Sequence, residues 1–150
     1  MPTHRPFLPC DLDACTDLFV ATFAQPPWSE TWERETALAR LTQLAGTPGF
    51  SGVVAEEKGI IGFAMGVSQP WPGGNHYYLQ EACVDHRFQR QGVGTALMAY
   101  LSGRVEEQGD RRIYLLTARD DVAADFYSKI GFYTSPRMIL MARRWEVPPL

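Results

Sequence analysis

Asp85-His86-Arg87-Phe88-Gln89-Arg90-Gln91-Gly92-Val93-Gly94-Thr95-Ala96 joins a strand-like run, Tyr77 to Asp85, to a helix-like run from about Gly92 to Glu107. In the second run Val93, Leu97, Leu101 and Val105 recur on one helical stripe, and Gly109 is the stop. Gly92 and Gly94 let the backbone approach a ligand with no Cβ in the way. A helix start also offers unpaired N–H groups and the positive end of the dipole. Together these make an anion site fit for a pyrophosphate, with Arg87 and Arg90 adding positive charge beside it. A glycine-rich helix start without any ligand has the same local pattern, so the loop by itself leaves both readings open. Two other phosphate loops fit worse. Leu97 stands where a dinucleotide fingerprint needs its third glycine or an alanine, and the chain has no Gly-Lys-Ser/Thr for a nucleotide-hydrolysing loop.

The elements around this segment follow from periodicity and punctuation. Downstream, Ile113 to Thr117 reads as a strand. Asp120 or Asp121 caps a helix in which Ala123, Phe126, Tyr127 and Ile130 share a face and which Gly131 ends; Met138 to Arg143 reads as a last strand. Upstream, Phe50 to Glu56 and Ile60 to Val67 read as a hairpin around Glu57-Lys58-Gly59, followed by a loop, Pro70 to Asn75. Asp11 caps a helix with Leu12, Cys15, Phe19 and Phe23 on one face. Ser29 caps a second with Arg34, Leu38, Leu41 and Ala45 in helical period, stopped by Gly46 and Pro48. Phe7 to Cys10, beside two prolines, suits an edge strand at best. The expectation is one mixed α/β domain over residues 1–150, largely antiparallel in its first half.

Composition narrows the function. The chain has 150 residues, 45% of them apolar and 21% charged, which is globular composition with length enough for a core. Fourteen basic against seventeen acidic residues give a net charge of −3, so a broadly basic nucleic-acid binder is not expected, and no aromatic-basic motif stands behind one. The longest apolar run, Ile60 to Val67, is too short to span a membrane. No apolar leader follows Met1, so a cytoplasmic protein is expected. Three scattered cysteines do not make a disulfide framework, and Cys10, Cys15 and His4 lack the spacing of a metal site; no metal is expected.

Gln89-Arg90-Gln91-Gly92-Val93-Gly94 resembles the acetyl-CoA signature of the GCN5-related N-acetyltransferase (GNAT) family: Gln or Arg, two residues, Gly, one residue, then Gly or Ala. Ala123 to Phe132, a helix carrying Tyr127 followed by Gly131-Phe132, resembles the family's later block. The element order is similar over nearly the whole chain. The resemblance implies a central, mostly antiparallel sheet flanked by about four helices. It also implies transfer of an acetyl group from acetyl-CoA, as co-substrate, to a primary amine by direct attack. It assigns Gln89, Arg90, Gln91, Gly92, Val93, Gly94 and Thr95 to the pyrophosphate. Cys83 and Val84 fall to the splayed strand that meets the pantetheine and the thioester oxygen. Asp120 stands where many members have Asn; an ionised carboxylate accepts hydrogen bonds but donates none. Tyr127 matches the usual acid, a phenol able to protonate the leaving thiolate; on residues alone, on the apolar face of its helix, it reads rather as a core tyrosine.

The base is not fixed by the resemblance. Glu81, mid-strand among apolar neighbours, is the candidate, acting through a water; it is otherwise an acceptor-binding acid or the partner of an arginine. His76 and His86 are titratable neighbours that read as surface histidines. Gln25 to Glu30 and Pro70 to Gly74 are the acceptor segments by resemblance. Trp28, Glu30 and Trp71, with Trp32, Glu33 and Glu81, make an aromatic and acidic set fit for a small cationic amine, or the tryptophans merely roof the core. Three functions stay open at this point: a small-molecule amine acetyltransferase, a peptide or protein N-terminal acetyltransferase, and a silent acyl-CoA-binding module. A homodimer also stays open.

Overall fold

The computed structural model describes residues 1–145 and 149. The chain divides into two compact units, Met1–Leu116 and Thr117–Leu150. The first holds strands β1 (Thr3–Pro6), β2 (Phe50–Glu56), β3 (Ile60–Gln69), β4 (His76–Val84) and β5 (Arg112–Leu115), and helices α1 (Leu12–Phe23), α2 (Arg34–Ala45) and α3 (Val93–Glu107). The second holds helix α4 (Val122–Lys129). The five strands form one sheet in the order β1-β2-β3-β4-β5. β1 to β4 pair antiparallel, and β5 joins β4 in parallel. No helix among the described residues is long and apolar enough to cross a membrane.

Two cores cover the sheet. On one face Cys15, Leu18 and Phe19 of α1 and Ala37, Leu41 and Leu44 of α2 pack with Val54, Phe63, Met65, Val67 and Cys83. The other face takes α3, whose stripe Val93, Leu97, Leu101 and Val105 is buried throughout, as its spacing requires. Each such side chain contributes about 1.5–3 kcal/mol relative to exposure. β3 is buried on both faces, which explains its continuous apolar run.

The departures from expectation have local causes. Phe7 to Cys10 is not a strand: β1 lies earlier, at Thr3–Pro6, and Pro9–Asp11 turn as a 3₁₀ helix. Its partner positions, Thr3 opposite Glu56 to Pro6 opposite Val53, make it an edge strand. α2 starts at Arg34 behind Glu33, not at Ser29, which adopts a positive φ of 48°. Its buried stripe is therefore Ala37, Leu41 and Leu44, with Arg34 exposed. Met138 to Arg143 forms no strand. None of the described strands pairs with it, and Met138, Ile139, Leu140 and Met141 are all exposed.

Asp11 links β1 to the start of α1. Its buried carboxylate takes a two-pronged ion pair from Arg5, at 2.7 and 2.8 Å, and the Leu8 N–H at 2.7 Å. It does not cap its own helix. The Arg5 hydrogen bonds hold the Asp11 carboxyl below its ordinary value of 3.8, against the opposing effect of burial. The stability this pair supplies is complete above the unfolded value and is lost as pH falls through the lower folded one. Asp11→Asn should cost about 1–2 kcal/mol at neutral pH, because the buried two-pronged ion pair is lost while Arg5 keeps Glu56 as a partner. Denaturant titrations at pH 7 and pH 3 check this: the gap between wild type and variant should shrink at the lower pH.

Candidate active site

β4 carries an irregularity on which the site depends. Met65 of β3 faces Glu81, but the next residue, Gly66, faces Leu79, so Gln80 is an extra residue, a bulge. Opposed residues share a sheet face, so the bulge reverses which face the strand presents. Tyr77 and Leu79 lie on the α3 face; Glu81 and Cys83 lie on the face covered by α1 and α2. Gly66 is required opposite this point. A Cβ there would fall 2.2 Å from the Tyr78 carbonyl oxygen and 2.7 Å from the Tyr77 ring. The parallel pairing of β4 with β5 runs only from His76 to Leu79 and stops at the bulge. From Glu81 to Val84, β4 has a ladder partner on its β3 side alone, so main-chain groups on the other side lack a strand partner, and the Val84 carbonyl there accepts the Gln89 side-chain amide.

The loop after β4 is built from tight backbone features. Asp85 accepts the Arg87 N–H at 2.9 Å and pairs with the Arg87 guanidinium at 2.7 Å. Arg87 is therefore neutralised by Asp85 and adds no free charge to the loop. The side-chain amide of Gln89 donates to the Val84 carbonyl at 2.9 Å, and that of Gln91 to the Arg87 carbonyl at 3.0 Å. Both glutamines brace the loop. Arg90 (φ 62°) and Gly92 (φ 83°) take the left-handed conformation. Arg90 is exposed and makes no ion pair among the described residues. The first helical bond of α3 runs from the Ala96 N–H to the Gly92 carbonyl. Helix geometry leaves Val93, Gly94 and Thr95 N–H without an intrahelical acceptor, and the helix dipole adds its positive end there. Val93 anchors this end in the core.

Glu81 is buried at the bulge and forms an ion pair with Arg40 of α2. Burial raises its carboxyl above the ordinary value, and the nearby Glu30 adds to this; the Arg40 hydrogen bond opposes both. The Arg40 guanidinium also lies over the Trp32 ring, 5.6 Å from its centroid. The Trp32 N–H donates to Glu30 at 3.0 Å. A cleft of about 440 Å³ opens here, lined by Trp32, Thr36, Arg40, Gln43, Gln80 and Glu81 among others. Thr36, Arg40 and Gln43 recur at helical spacing beside the buried stripe of α2, so the helix edge is the cleft wall.

The other expected residues fall in different places. Trp28 packs edge-on against Phe23, and Trp71 stacks on His76 at 4.9 Å; neither lines the cleft. Cys83 points into the core, and burial raises its thiol well above the ordinary value. His86 is exposed beside Asp85. In the second unit, Asp121 caps α4 by accepting the Val122 N–H, while Asp120 stands just before it with φ 61°. Gly131 (φ 105°) ends α4: its own N–H bonds the Ser128 carbonyl and the Phe132 N–H bonds that of Tyr127. This returns Phe132 onto the half-buried Tyr127 ring, 5.3 Å away. The sequence of Tyr, then Gly-Phe, thus has a backbone cause. Among the described residues no group of three or more His, Cys, Asp or Glu is placed to hold a metal.

Arg40 is the site residue that motif reasoning missed. The signal was available: a glutamate in the middle of a buried strand needs a partner.

The acetyltransferase (GNAT) family model matches residues 13–132. The chain belongs to this family. No curated protein matches the sequence. Solved structures with the same fold include an aminoglycoside acetyltransferase from an uncultured soil metagenomic sample, in complex with sisomicin (20% identity, 97% of each chain, TM-score 0.74). An aminoglycoside N-acetyltransferase in complex with CoA matches at 18% identity over 97% of this chain and 96% of that one, TM-score 0.75. A ribosomal-protein-alanine N-acetyltransferase from Brucella melitensis biovar Abortus 2308 matches at 15% identity over 97% and 100%, TM-score 0.74. At these identities the likeness is one of fold.

A Cβ at Gly92 would meet no atom within 4 Å, so the cost of replacing it is conformational. Gly92→Ala should destabilise the free protein by about 1–2 kcal/mol, read as a lower denaturation midpoint, and Gly92→Asn by less.

Proposed function

We propose that this acetyltransferase moves an acetyl group from acetyl-CoA to the primary amine of a small molecule, and that residues 1–150 act as one domain. The observation that carries the reading is the conjunction at the β4 bulge. Beside it are an open strand edge, a helix N-terminus preceded by a left-handed glycine, and a buried acid facing a cleft. The family match, which runs through both compact units, supports the single domain.

In this reading the Val93, Gly94 and Thr95 N–H groups hold the pyrophosphate, with Arg90 as the free cation beside it. Gln89 and Gln91 act by shaping the loop. The open edge of β4, at Cys83 and Val84, meets the pantetheine, and a main-chain N–H there stabilises the oxyanion that develops on the thioester carbonyl. Glu81 takes a proton from the substrate ammonium through a water. The freed amine attacks the carbonyl carbon, and as the C–S bond breaks the new amide nitrogen gives its second proton to solvent. The thiolate takes its proton from the Tyr127 phenol, which is refilled from solvent. Asp120 contributes to the cofactor site in the second unit. Glu30 serves the acceptor entrance beside Trp32, which is on the cleft wall itself; Trp28 and Trp71, expected there, stand outside the cleft.

Glu81 works as a base only when ionised, and burial lifts its titration above the ordinary carboxylate range. The acidic limb of kcat/KM should therefore sit above that range, with activity rising as pH rises through it. Glu81→Gln should remove this limb and lower kcat by about 10²–10³-fold, while acetyl-CoA still stabilises the chain. An unchanged limb in the variant contradicts the assignment. Tyr127→Phe should lower kcat about tenfold or more with KM for acetyl-CoA little changed. At a hundredfold excess over its dissociation constant, acetyl-CoA should stabilise the native state by about 2.7 kcal/mol, and ATP and NAD should not.

A further inference from the structure

We infer that the acceptor carries a carboxylate beside its amine, and that Arg40 is the residue that selects it. This deepens the acceptor reading above and rests on it. Arg40 uses one donor, Nε, on Glu81 Oε1. Its terminal Nη1 and Nη2 meet no acceptor among the described residues. The side chain is half-exposed, and its guanidinium plane is steadied on the Trp32 ring. A guanidinium fixed through Nε presents its remaining fork as a planar, two-pronged donor, the geometry that matches a carboxylate. Lysine would offer only a point charge.

The same contact leaves an anionic half-site next to the cationic one. Glu81 Oε2 has no donor among the described residues, and Glu30 sits close enough to raise the Glu81 carboxyl while being held by the Trp32 N–H. A ligand with an ammonium and a carboxylate on one carbon meets both halves at once, the ammonium toward Glu81 and Glu30 and the carboxylate toward the Arg40 fork. A simple polycation meets only the first half and faces the guanidinium with like charge. The cleft, about 440 Å³, has room for a small side chain along Trp32, Thr36 and Gln43. The chemical class is therefore an α-amino acid or a close zwitterionic relative.

The test compares matched acceptors in the full chain with saturating acetyl-CoA. Each common L-α-amino acid is run beside its carboxamide and its decarboxylated amine, following CoA release and correcting for the fraction of free amine. For the substrates that turn over, kcat/KM should be about tenfold or more higher with the carboxylate present. Arg40→Gln should bring the members of a set within about threefold of each other, mainly through KM. Arg40→Lys keeps the ion pair with Glu81 and should lose most of the preference too, which separates a folding defect from lost recognition. Acetyl-CoA should stabilise wild type and both variants equally. Amines or carboxamides that equal or exceed their amino acids overturn this inference and leave the acceptor reading intact. No transfer to any member, with acetyl-CoA bound, overturns both.

Discussion

One extra residue in β4 sets the chemistry of this protein. The alternating burial of Tyr77, Leu79, Glu81 and Cys83 looks like a strand with one buried face. The bulge at Gln80 divides it, so that the first two residues meet α3 and the last two meet α1 and α2. Without that reversal Glu81 would lie on the α3 face, away from Arg40. At the same residue the parallel pairing with β5 ends, which frees the edge of β4. The position of the acid and the opening of the strand therefore have one cause, and Gly66, which tolerates no Cβ opposite the bulge, keeps it in place.

A buried carboxylate is costly unless it is paired. Glu81 meets that demand with a half-exposed arginine that is itself held by an aromatic ring. The arrangement leaves donor and acceptor capacity unused on both partners at the rim of a cleft. The phosphate loop follows a different logic. There Arg87 is neutralised by Asp85 and both glutamines bind the loop's own carbonyls, so anion binding falls to backbone N–H groups and one free arginine. Such a loop is shaped before any ligand arrives, which lowers the cost of ordering it on binding.

Much of this was legible in the sequence because it depends on local pattern. The helix stripe Val93, Leu97, Leu101 and Val105, the hairpin at Glu57 to Gly59 and the stops at Gly46, Gly109 and Gly131 are set by period and backbone preference, and all stand as read. The glycine loop and the Tyr127 block carried the family, which the match over residues 13–132 shows. What was not legible depends on partners far along the chain. The strand expected at Phe7 to Cys10 lies instead at Thr3–Pro6, whose pairing with β2 is a tertiary matter. Met138 to Arg143 has strand-like composition, yet composition supplies no ladder partner. An arginine partner for Glu81 was foreseeable, but nothing in the sequence picked Arg40 from the others, because the pairing arises only when α2 crosses the bulged part of β4. A bulge itself leaves no reliable mark in a strand whose apolar alternation continues through it.

Cofactor binding requires the open edge of β4 and the start of α3 to form one surface. Amide hydrogen exchange with and without CoA tests this most directly, because it reads the backbone groups that are meant to do the binding. CoA should slow exchange at Gln80 to Val84 and at Val93 to Thr95, with little change in β1 and β2. Protection confined to other segments, or no protection at saturating CoA, would contradict it.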